Sequence, residues 1–357
     1  MIINNEAEID LLTVSSMGVR IIPAERQPVH ISSVYKMYST SAETNVLSAG
    51  AALGLKTKVL TKFVKDSPIA LFIQAELRKL RIDYEGLEVE QGGPWGFRHQ
   101  FNIADSGYGV RGPRVHNDRA GEIGRTIRAE DFDLERIFRK EGVKVVHLSG
   151  LIAAMSEDTA DCCLKIARTA KENGSILSFD LNYRATFWEG RKEELYQVFS
   201  EIAKLADILI GNEEDFQLAL GIEGPDSAEK GDDLKTDAFR EMIGRVSEVY
   251  PNASVYATTL RDVRSANLHN WGAILRANGE WYVEEPREIA VLDRIGGGDS
   301  FVGGLLYGII KGWPPEKYLQ FAWATGALAT TVLTDYITPV NEKQVWDIYK
   351  GNARVVR

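Results

Sequence analysis

The residues best suited to chemistry lie in one short segment, 293–301. Three successive glycines, Gly296, Gly297 and Gly298, precede Asp299 there. Glycines let backbone N–H groups approach an anion closely, and a helix that begins at this point adds its partial positive charge. A carboxylate beside an anion site repels phosphate, but it is useful if it accepts a proton from a hydroxyl that attacks the phosphate. The segment predicts either phosphoryl transfer with Asp299 as the base, or a glycine-rich turn in which Asp299 caps a helix.

The surrounding pattern predicts the elements that hold this segment. β-Branched and aromatic residues at 281–292 indicate a preceding strand, and small apolar residues at 301–310 indicate a following helix. Further strands are predicted at 144–149, 175–180, 207–211 and 254–259, and further helices at 158–173, 193–205 and 316–333. This alternation predicts an α/β fold in which a mainly parallel sheet has helices on both faces.

Polar residues follow several of the predicted strands. They are Ser149, Asp180, Asn182, Arg184, Asn212, Asp215, Thr258 and Thr259. Because ligands of such sheets bind at the carboxyl ends of the strands, these side chains are expected to face one site. Together with Asp299 they form the candidate lining of an active site.

The composition is that of an ordinary globular protein. Of the 357 residues, 44% are hydrophobic and 26% are charged, and the net charge is −9. An acidic chain without a basic stripe argues against nucleic acid or an anionic membrane as the main partner. No apolar run approaches the length of a membrane span, and the two cysteines, Cys162 and Cys163, are adjacent and unsuited to a mutual disulfide or a zinc site. We therefore expect a cytoplasmic protein whose anionic ligand is held by a local cluster of donors.

The segment 92–125 differs from the rest of the chain. Glycine- and proline-containing turns separate short extended pieces, which predicts a small β element that projects as a lid. Its arginines either hold an acidic substrate or form a solvated basic loop; they are Arg98, Arg111, Arg114 and Arg119. We expect a single domain over 1–357, with lid elements around 14–40 and 92–125 and a homodimer that forms through the lid.

The segment 293–301 also resembles a known signature. The ribokinase-like (PfkB) sugar kinases close with D-T-x-G-A-G-D-x-F, and this chain keeps both aspartates, the first and third glycines and the phenylalanine, with Arg294 and Gly297 where Thr and Ala are common. The resemblance implies a ribokinase-like fold and MgATP-dependent phosphorylation of a sugar hydroxyl. In that reaction Asp299 is the base and the glycine N–H groups stabilise the transferring phosphoryl. It also implies, as in some relatives, a monovalent cation such as K⁺ near Asp293.

Two further segments fall in the order of that family. Residues 41–46 resemble its G-G-A-x-x-N-V segment, which implies that Ser41 and Asn45 contact the sugar. Asn212 and Asp215 resemble its N-x-x-E motif, which is linked to magnesium and phosphate, with Asp in place of the usual Glu. The residues implied to border the nucleotide are Thr258, Thr259 and Trp323.

A finer resemblance points to 2-keto-3-deoxygluconate kinases. Residues 180–184, followed by Trp188, resemble their D-x-N-x-R…W motif, which implies that Arg184 binds the acid group of the substrate. Residues 117–120 resemble their Y-D-R-A lid segment, which implies a second guanidinium, Arg119. The chain departs from the family pattern at Thr40, Ser41, Asn102, Asn117 and 64–70.

Together, these resemblances imply a MgATP-dependent kinase that acts on a sugar acid, 2-keto-3-deoxygluconate. Alternative substrates within the same enzyme class are fructose, ribose and 5-dehydro-2-deoxygluconate. An alternative from a different class is a sugar-responsive regulator that kept the fold and lost turnover. Positions 40–41, 64 and 70, where the family has glycines and this chain does not, favour that regulator. Asp299 argues against it, because a pure binder gains nothing from a carboxylate beside phosphate.

Overall fold

A nine-stranded, mainly parallel sheet forms the centre of the molecule in the computed structural model, which describes residues 2–224 and 236–352. The strands of the structure are β1 (Ile9–Val14), β2 (Gly18–Pro23), β3 (Tyr35–Thr40), β4 (Thr57–Val64), β5 (Asp83–Val89), β6 (Gln100–Asp105), β7 (Arg114–Asp118), β8 (Val143–Ser149), β9 (Ile176–Asp180), β10 (Ile208–Ile210), β11 (Val255–Ser265), β12 (Leu268–Ala277) and β13 (Glu280–Ala290). The order in the large sheet is β13-β12-β11-β10-β9-β8-β1-β4-β5. Among the described strands of this sheet, the antiparallel pairs are β11 with β12 and β12 with β13, at one edge.

Helices cover both faces of this sheet. They are α1 (Ala42–Ala52), α2 (Pro68–Leu80), α3 (Gly150–Ala153), α4 (Glu157–Glu172), α5 (Ala185–Trp188), α6 (Lys192–Leu205), α7 (Glu213–Leu220), α8 (Thr236–Val249), α9 (Gly297–Ile310), α10 (Pro315–Ala329) and α11 (Glu342–Tyr349). Short 3₁₀ turns lie at Ala24–Arg26, Val29–Ile31, Ile123–Thr126 and Ala129–Asp131, and a π-helical turn lies at Arg136–Glu141. Within the described residues, no helix combines the length and the apolar character that a membrane crossing requires. The expected α/β architecture is confirmed.

Alternate residues of the central strands pack on opposite faces of the sheet. Leu11 and Val145 belong to the core formed with α1, α2, α9 and α10, whereas Leu12 and Val146 belong to the core formed with α4, α6 and α8. Successive side chains of a strand point to opposite faces, so both faces of these strands are buried and the strands read as continuous apolar runs. This packing fixes the carboxyl edge of the sheet, where the functional side chains follow.

A second, four-stranded sheet has the order β3-β2-β6-β7. Its strand β2 pairs antiparallel with β3 and parallel with β6, and β6 pairs antiparallel with β7. The outer strands leave apolar side chains in solvent, since Met37 is 41% and Val115 is 48% exposed. The expected small β element is thus present, while its action as a lid and its part in a homodimer stay predictions.

Candidate active site

A cleft of about 1250 Å³ opens at the carboxyl edge of the large sheet. Residues that follow β9 and β10, the middle of β11, the glycine-rich segment, the N-terminus of α1 and parts of the small sheet all contribute to its lining. The predicted site residues that line it are Ser41, Asn45, Arg119, Arg184, Asn212, Asp215, Thr259, Gly296, Gly298 and Asp299. The predicted residues that do not line it are Thr258, Asp293, Gly297 and Trp323.

The glycine-rich segment turns sharply into α9. Gly296 has a φ of 81°, and a Cβ there would lie 1.9 Å from the backbone oxygen of Asp335, so only glycine fits. Gly297 begins the helix, and a Cβ on Gly298 would meet no atom within 4 Å. N–H groups in the first turn of a helix lack intrahelical acceptors, so those of Gly298 and Asp299 can donate to an anion in the cleft.

Asp299 lies in the first turn of α9 but does not cap the helix. The N-cap is Gly296, and no side chain accepts a capping hydrogen bond. Instead, Nδ2 of Asn45 donates to Oδ2 of Asp299 at 2.7 Å. Burial raises the pKa of Asp299 to about 7, with the Asn45 hydrogen bond opposing this rise and the charge of Asp335 adding to it. The capping alternative is therefore not supported, and the pKa suits a group that accepts protons near neutral pH.

The N-terminus of α1 presents polar groups beside Asp299. Ser41 is the N-cap, and its hydroxyl accepts the N–H of Thr44 at 3.0 Å. The Oδ1 atom of Asn45 is buried and has no hydrogen-bond partner among the residues that the structure describes. A buried acceptor without a donor is costly, so this oxygen is a candidate to receive a ligand hydroxyl.

Glu43 is a cleft residue that the sequence patterns did not single out. It is 1% exposed, and its carboxylate accepts the hydroxyls of Ser15 and Ser149. Burial raises the pKa of Glu43, although both hydroxyl donors oppose the rise. Ser149 was visible as a polar residue after a strand, but only the fold places Glu43 between it and Ser15.

Asp180 and Asp215 form an acidic region of the cleft. The carboxylate of Asp215 accepts the N–H groups of Asn212 at 2.8 Å and of Tyr183 at 2.9 Å. Oδ1 of Asn212 accepts two N–H groups of the first turn of α7, so the two side chains make a capping box. Burial raises the pKa of Asp215. The pKa of Asp180 is also raised, mainly by burial and further by the negative charges of Asp215 and Asp299.

These oxygen donors suit a magnesium ion that is bound through water. In the described ranges, no three His, Cys, Asp or Glu side chains are grouped so that they could hold a metal ion. Among the residues that the structure describes, none forms a hydrogen bond with the buried Oδ1 atom of Asn182, and Asp180 and Asp215 add carboxylate oxygens. Magnesium keeps several waters and binds through few carboxylates together with substrate phosphates. The expected magnesium therefore fits the residues present.

The two arginines of the substrate motifs, Arg119 and Arg184, both line the cleft but differ in whether their charge is already paired. Arg184 is exposed, its Nη1 donates to the carbonyl of Tyr183 at 2.7 Å, and it forms no ion pair with any described residue. Nη1 of Arg119 donates to both carboxylate oxygens of Glu122, at 2.8 and 3.0 Å, and its guanidinium lies over the ring of Phe187. Arg119 is thus already neutralised, whereas the charge of Arg184 is available to an acidic ligand.

Arg261 and Arg294 also line the cleft, near the glycine turn. Neither forms an ion pair with a residue inside the described ranges. Arg294 was visible as a departure from the family signature. Arg261 gave no signal, because it lies on β11 beyond the predicted end of that strand at Thr259.

The residues expected to border the nucleotide are only partly in the cleft. Thr259 lines it, whereas Thr258 is fully buried behind it. Trp323 is 3% exposed, its indole N–H donates to the carbonyl of Trp271 at 2.8 Å, and Arg287 lies 3.6 Å from the centre of its ring. Trp323 does not line the cleft, because Trp271 packs against α10 and itself lines the cleft, so the contact of Trp323 with the nucleotide stays a prediction.

Asp293 is buried and already paired. Nη2 of Arg20 donates to its Oδ2 at 2.5 Å, and the N–H of Ile295 donates to its Oδ1 at 3.0 Å. A monovalent cation bound to this carboxylate would lie against the positive charge of Arg20. The expected K⁺ site at Asp293 therefore does not fit the residues present.

The chain is similar to several known proteins over most of its length. A family model described as pfkB family carbohydrate kinase matches residues 11–239 and 270–340. A 2-dehydro-3-deoxygalactonokinase of Haloferax volcanii is 27% identical over 352 residues, which are 98% of this chain and 99% of that protein. A 5-dehydro-2-deoxygluconokinase of Clostridium perfringens is 25% identical over 329 residues, which are 91% of this chain and 88% of that protein. The crystal structure of 2-dehydro-3-deoxygluconokinase from Thermotoga maritima matches with a TM-score of 0.86 and 27% identity, over 98% of this chain and 100% of that one.

Proposed function

Since the chain belongs to the pfkB family of carbohydrate kinases, we propose that it transfers the γ-phosphoryl group of MgATP to a hydroxyl of a sugar acid, 2-keto-3-deoxygluconate. The observation that carries the proposal is a single cleft that contains both Asp299 and the unpaired Arg184. The first is a base beside a phosphate site, and the second is a cation suited to a carboxylate. The names of the three similar kinases, which all denote keto-deoxy sugar acids, support the same class of substrate.

Asp299 accepts the proton of the substrate hydroxyl while the hydroxyl oxygen forms a bond to the γ-phosphorus. The bond between that phosphorus and the bridging oxygen breaks, which releases ADP and leaves the sugar phosphate. The N–H groups of Gly298 and Asp299 donate to the transferring phosphoryl as negative charge develops on it. Asn45 orients the carboxylate of Asp299, and its free Oδ1 accepts a hydroxyl of the sugar.

ATP is the donor that kinases of this family use. When bound, magnesium neutralises phosphate charge and makes the γ-phosphorus more electrophilic. The residues that would hold its waters are Asp180, Asn212 and Asp215. Thr259 and Trp271 border the nucleotide, and Arg261 and Arg294 extend the positive potential of the glycine turn towards the other phosphates.

5-Dehydro-2-deoxygluconate is the second candidate substrate, because several similar kinases carry that name. It is also a sugar acid, so its carboxylate would pair with Arg184 in the same way. Fructose and ribose have no carboxylate and would leave Arg184 without a partner. A regulator without turnover has no use for Asp299, whose raised pKa suits proton transfer.

The test is a substrate screen on wild type and Arg184→Ala side by side. The substrates are 2-keto-3-deoxygluconate, 2-keto-3-deoxygalactonate, 5-dehydro-2-deoxygluconate, fructose and ribose, and the measurement is ADP release with MgATP. Loss of a charge-assisted hydrogen bond should lower kcat/KM for the accepted acid by about 10- to 100-fold, and change it little for any neutral sugar.

Arg168→Ala is the matched control, because Arg168 is an exposed arginine of α4 that pairs with Glu201 and does not line the cleft. It should leave kcat/KM unchanged for every substrate. Turnover confined to fructose or ribose, with Arg184→Ala indifferent, would refute the sugar-acid proposal. Preference for one acid over the others identifies the substrate within the proposed class.

A further inference from the structure

Arg20 connects the small sheet to both sides of the glycine turn. It lies on β2, and its side chain is fully buried. Nη2 donates to Asp293, just before the turn, and Nη1 donates to Asp335. Asp335 also accepts the hydroxyl of Thr40 at 2.6 Å, and its backbone oxygen fills the space where a Cβ of Gly296 would lie. One guanidinium therefore holds the two backbone segments that fix the turn.

The two carboxylates at this point depend on Arg20 for their charge balance. Among the described residues, Asp293 and Asp335 form ion pairs with no other cation. Buried like charges repel each other strongly, so such a pair requires a permanent positive charge. A guanidinium meets this need, because it keeps its proton in proteins and its fork reaches two acids at once. Arg20 thus supplies the positive charge that a bound metal ion would otherwise have to supply to Asp293 and Asp335.

We propose that Arg20 is an internal cation that positions the glycine turn and makes phosphoryl transfer independent of monovalent cations. Arg20 does not line the cleft, so it acts through Asp293 and Asp335 on the N–H donors of Gly298 and Asp299. This inference disagrees with the K⁺ site that the sequence resemblance implied. Its turnover readout depends on the proposed kinase function, whereas its unfolding readout does not.

The experiment compares wild type, Arg20→Ala and Arg20→Lys in buffers whose monovalent cation is either tetramethylammonium or potassium. Wild type should show the same kcat and the same Tm in both buffers. Arg20→Ala leaves two buried carboxylates unpaired and the turn unsupported, so its kcat in tetramethylammonium should fall on the order of 100-fold. Potassium should restore part of that kcat and raise the Tm of this variant. Arg20→Lys keeps the charge but loses the fork, so its kcat should be intermediate and insensitive to potassium.

Arg136→Ala is the matched control, because Arg136 also bridges two acids, Glu85 and Glu141, but lies outside the cleft lining. It should show no response to potassium. Severalfold activation of wild type by potassium overturns the proposal, and so does a potassium-induced rise of Tm that is equal in wild type and Arg20→Ala. If Arg20→Ala does not fold, wild type and Arg20→Lys decide the question by the same criteria. If wild type phosphorylates no sugar, the kinase proposal fails, while the Tm response to potassium still tests Arg20.

Discussion

At the scale of single residues, the proposed chemistry depends on the surroundings of Asp299, which set its pKa. Burial raises its pKa to about 7, so the carboxylate form needed for proton acceptance is lost as the pH falls through that value. We expect kcat/KM to be low in acid and to rise with pH through about 7 before it levels off. Steady-state kinetics from about pH 5 to about pH 9 measure this acidic limb.

Asn45→Ala tests whether the acidic limb of the pH profile of kcat/KM reports the titration of Asp299. The hydrogen bond from Asn45 lowers the pKa of Asp299, so its removal should move the limb to higher pH as well as reduce the rate. Asn117→Ala is the comparison, because Asn117 is another amide of the cleft that forms no hydrogen bond with Asp299. A limb near the ordinary carboxyl value of about 4, with Asn45→Ala without effect on it, would show that Asp299 is not the titrating base.

Sequence spacing predicts some of these residues and misses others for a physical reason. Asp299, Asn45 and Arg184 each lie within a short motif, and the structure brings all three into one cleft. Arg20 has its partner Asp293 at a separation of 273 positions, so no local pattern links them. Glu43 on α1 likewise accepts hydroxyls that are distant in sequence, from Ser15 just after β1 and from Ser149 at the end of β8. Contacts of this kind follow only from the folded chain.

At the scale of elements, α9 begins earlier than the sequence predicts. The apolar run indicates a helix from 301, but the helix starts at Gly297. Glycine is a poor helix former, so propensity gives no signal for this first turn. The early start matters for function, because it places Gly298 and Asp299 in the turn whose N–H groups are free to bind an anion.

This geometry predicts opposite outcomes for alanine at two neighbouring glycines. A methyl group on Gly298 would meet no protein atom within 4 Å, so Gly298→Ala should fold. Because Gly298 lines the cleft, the proposed mechanism places this methyl group in the path of the phosphoryl. Its kcat/KM should fall by about 10²- to 10³-fold, the effect of losing one such donor. Gly297→Ala is the control, since its methyl would have its nearest contact at 3.7 Å and should leave most activity. Kinetics together with Tm separate the two, and equal activity would show that the turn is only a scaffold.

The hairpin of β11 and β12 near one edge of the large sheet extends beyond the strand that the sequence predicts at 254–259. Strands β8, β9 and β10 lie where the apolar runs predict them. In contrast, β11 continues to Ser265 through Arg261 and Asp262, and β12 pairs with it over this stretch. Polar residues on an edge hairpin do not make an apolar run, so the pattern ends at Thr259. The missed extension is the one that brings Arg261 into the cleft.

At the scale of the whole molecule, the two sheets meet at the glycine turn. Strands β2 and β3 come from the predicted lid region 14–40, and β6 and β7 come from 92–125. We propose that the small sheet acts as a lid whose position is set by Arg20, because this side chain ties β2 to the backbone around the phosphate site. The homodimer expected through the same sheet stays a prediction that the exposed Met37 and Val115 make reasonable.

The central claim is that Asp299 is the base of a phosphoryl transfer to a sugar acid. The most direct measurement is the kcat of Asp299→Asn with MgATP and the acid that wild type accepts, together with ADP affinity and Tm. An amide cannot accept the proton, so kcat should fall by about 10²- to 10⁴-fold. ADP affinity and Tm should stay near wild type, because the amide oxygen can still receive the hydrogen bond from Asn45. Turnover by Asp299→Asn at a rate close to that of wild type would contradict the mechanism.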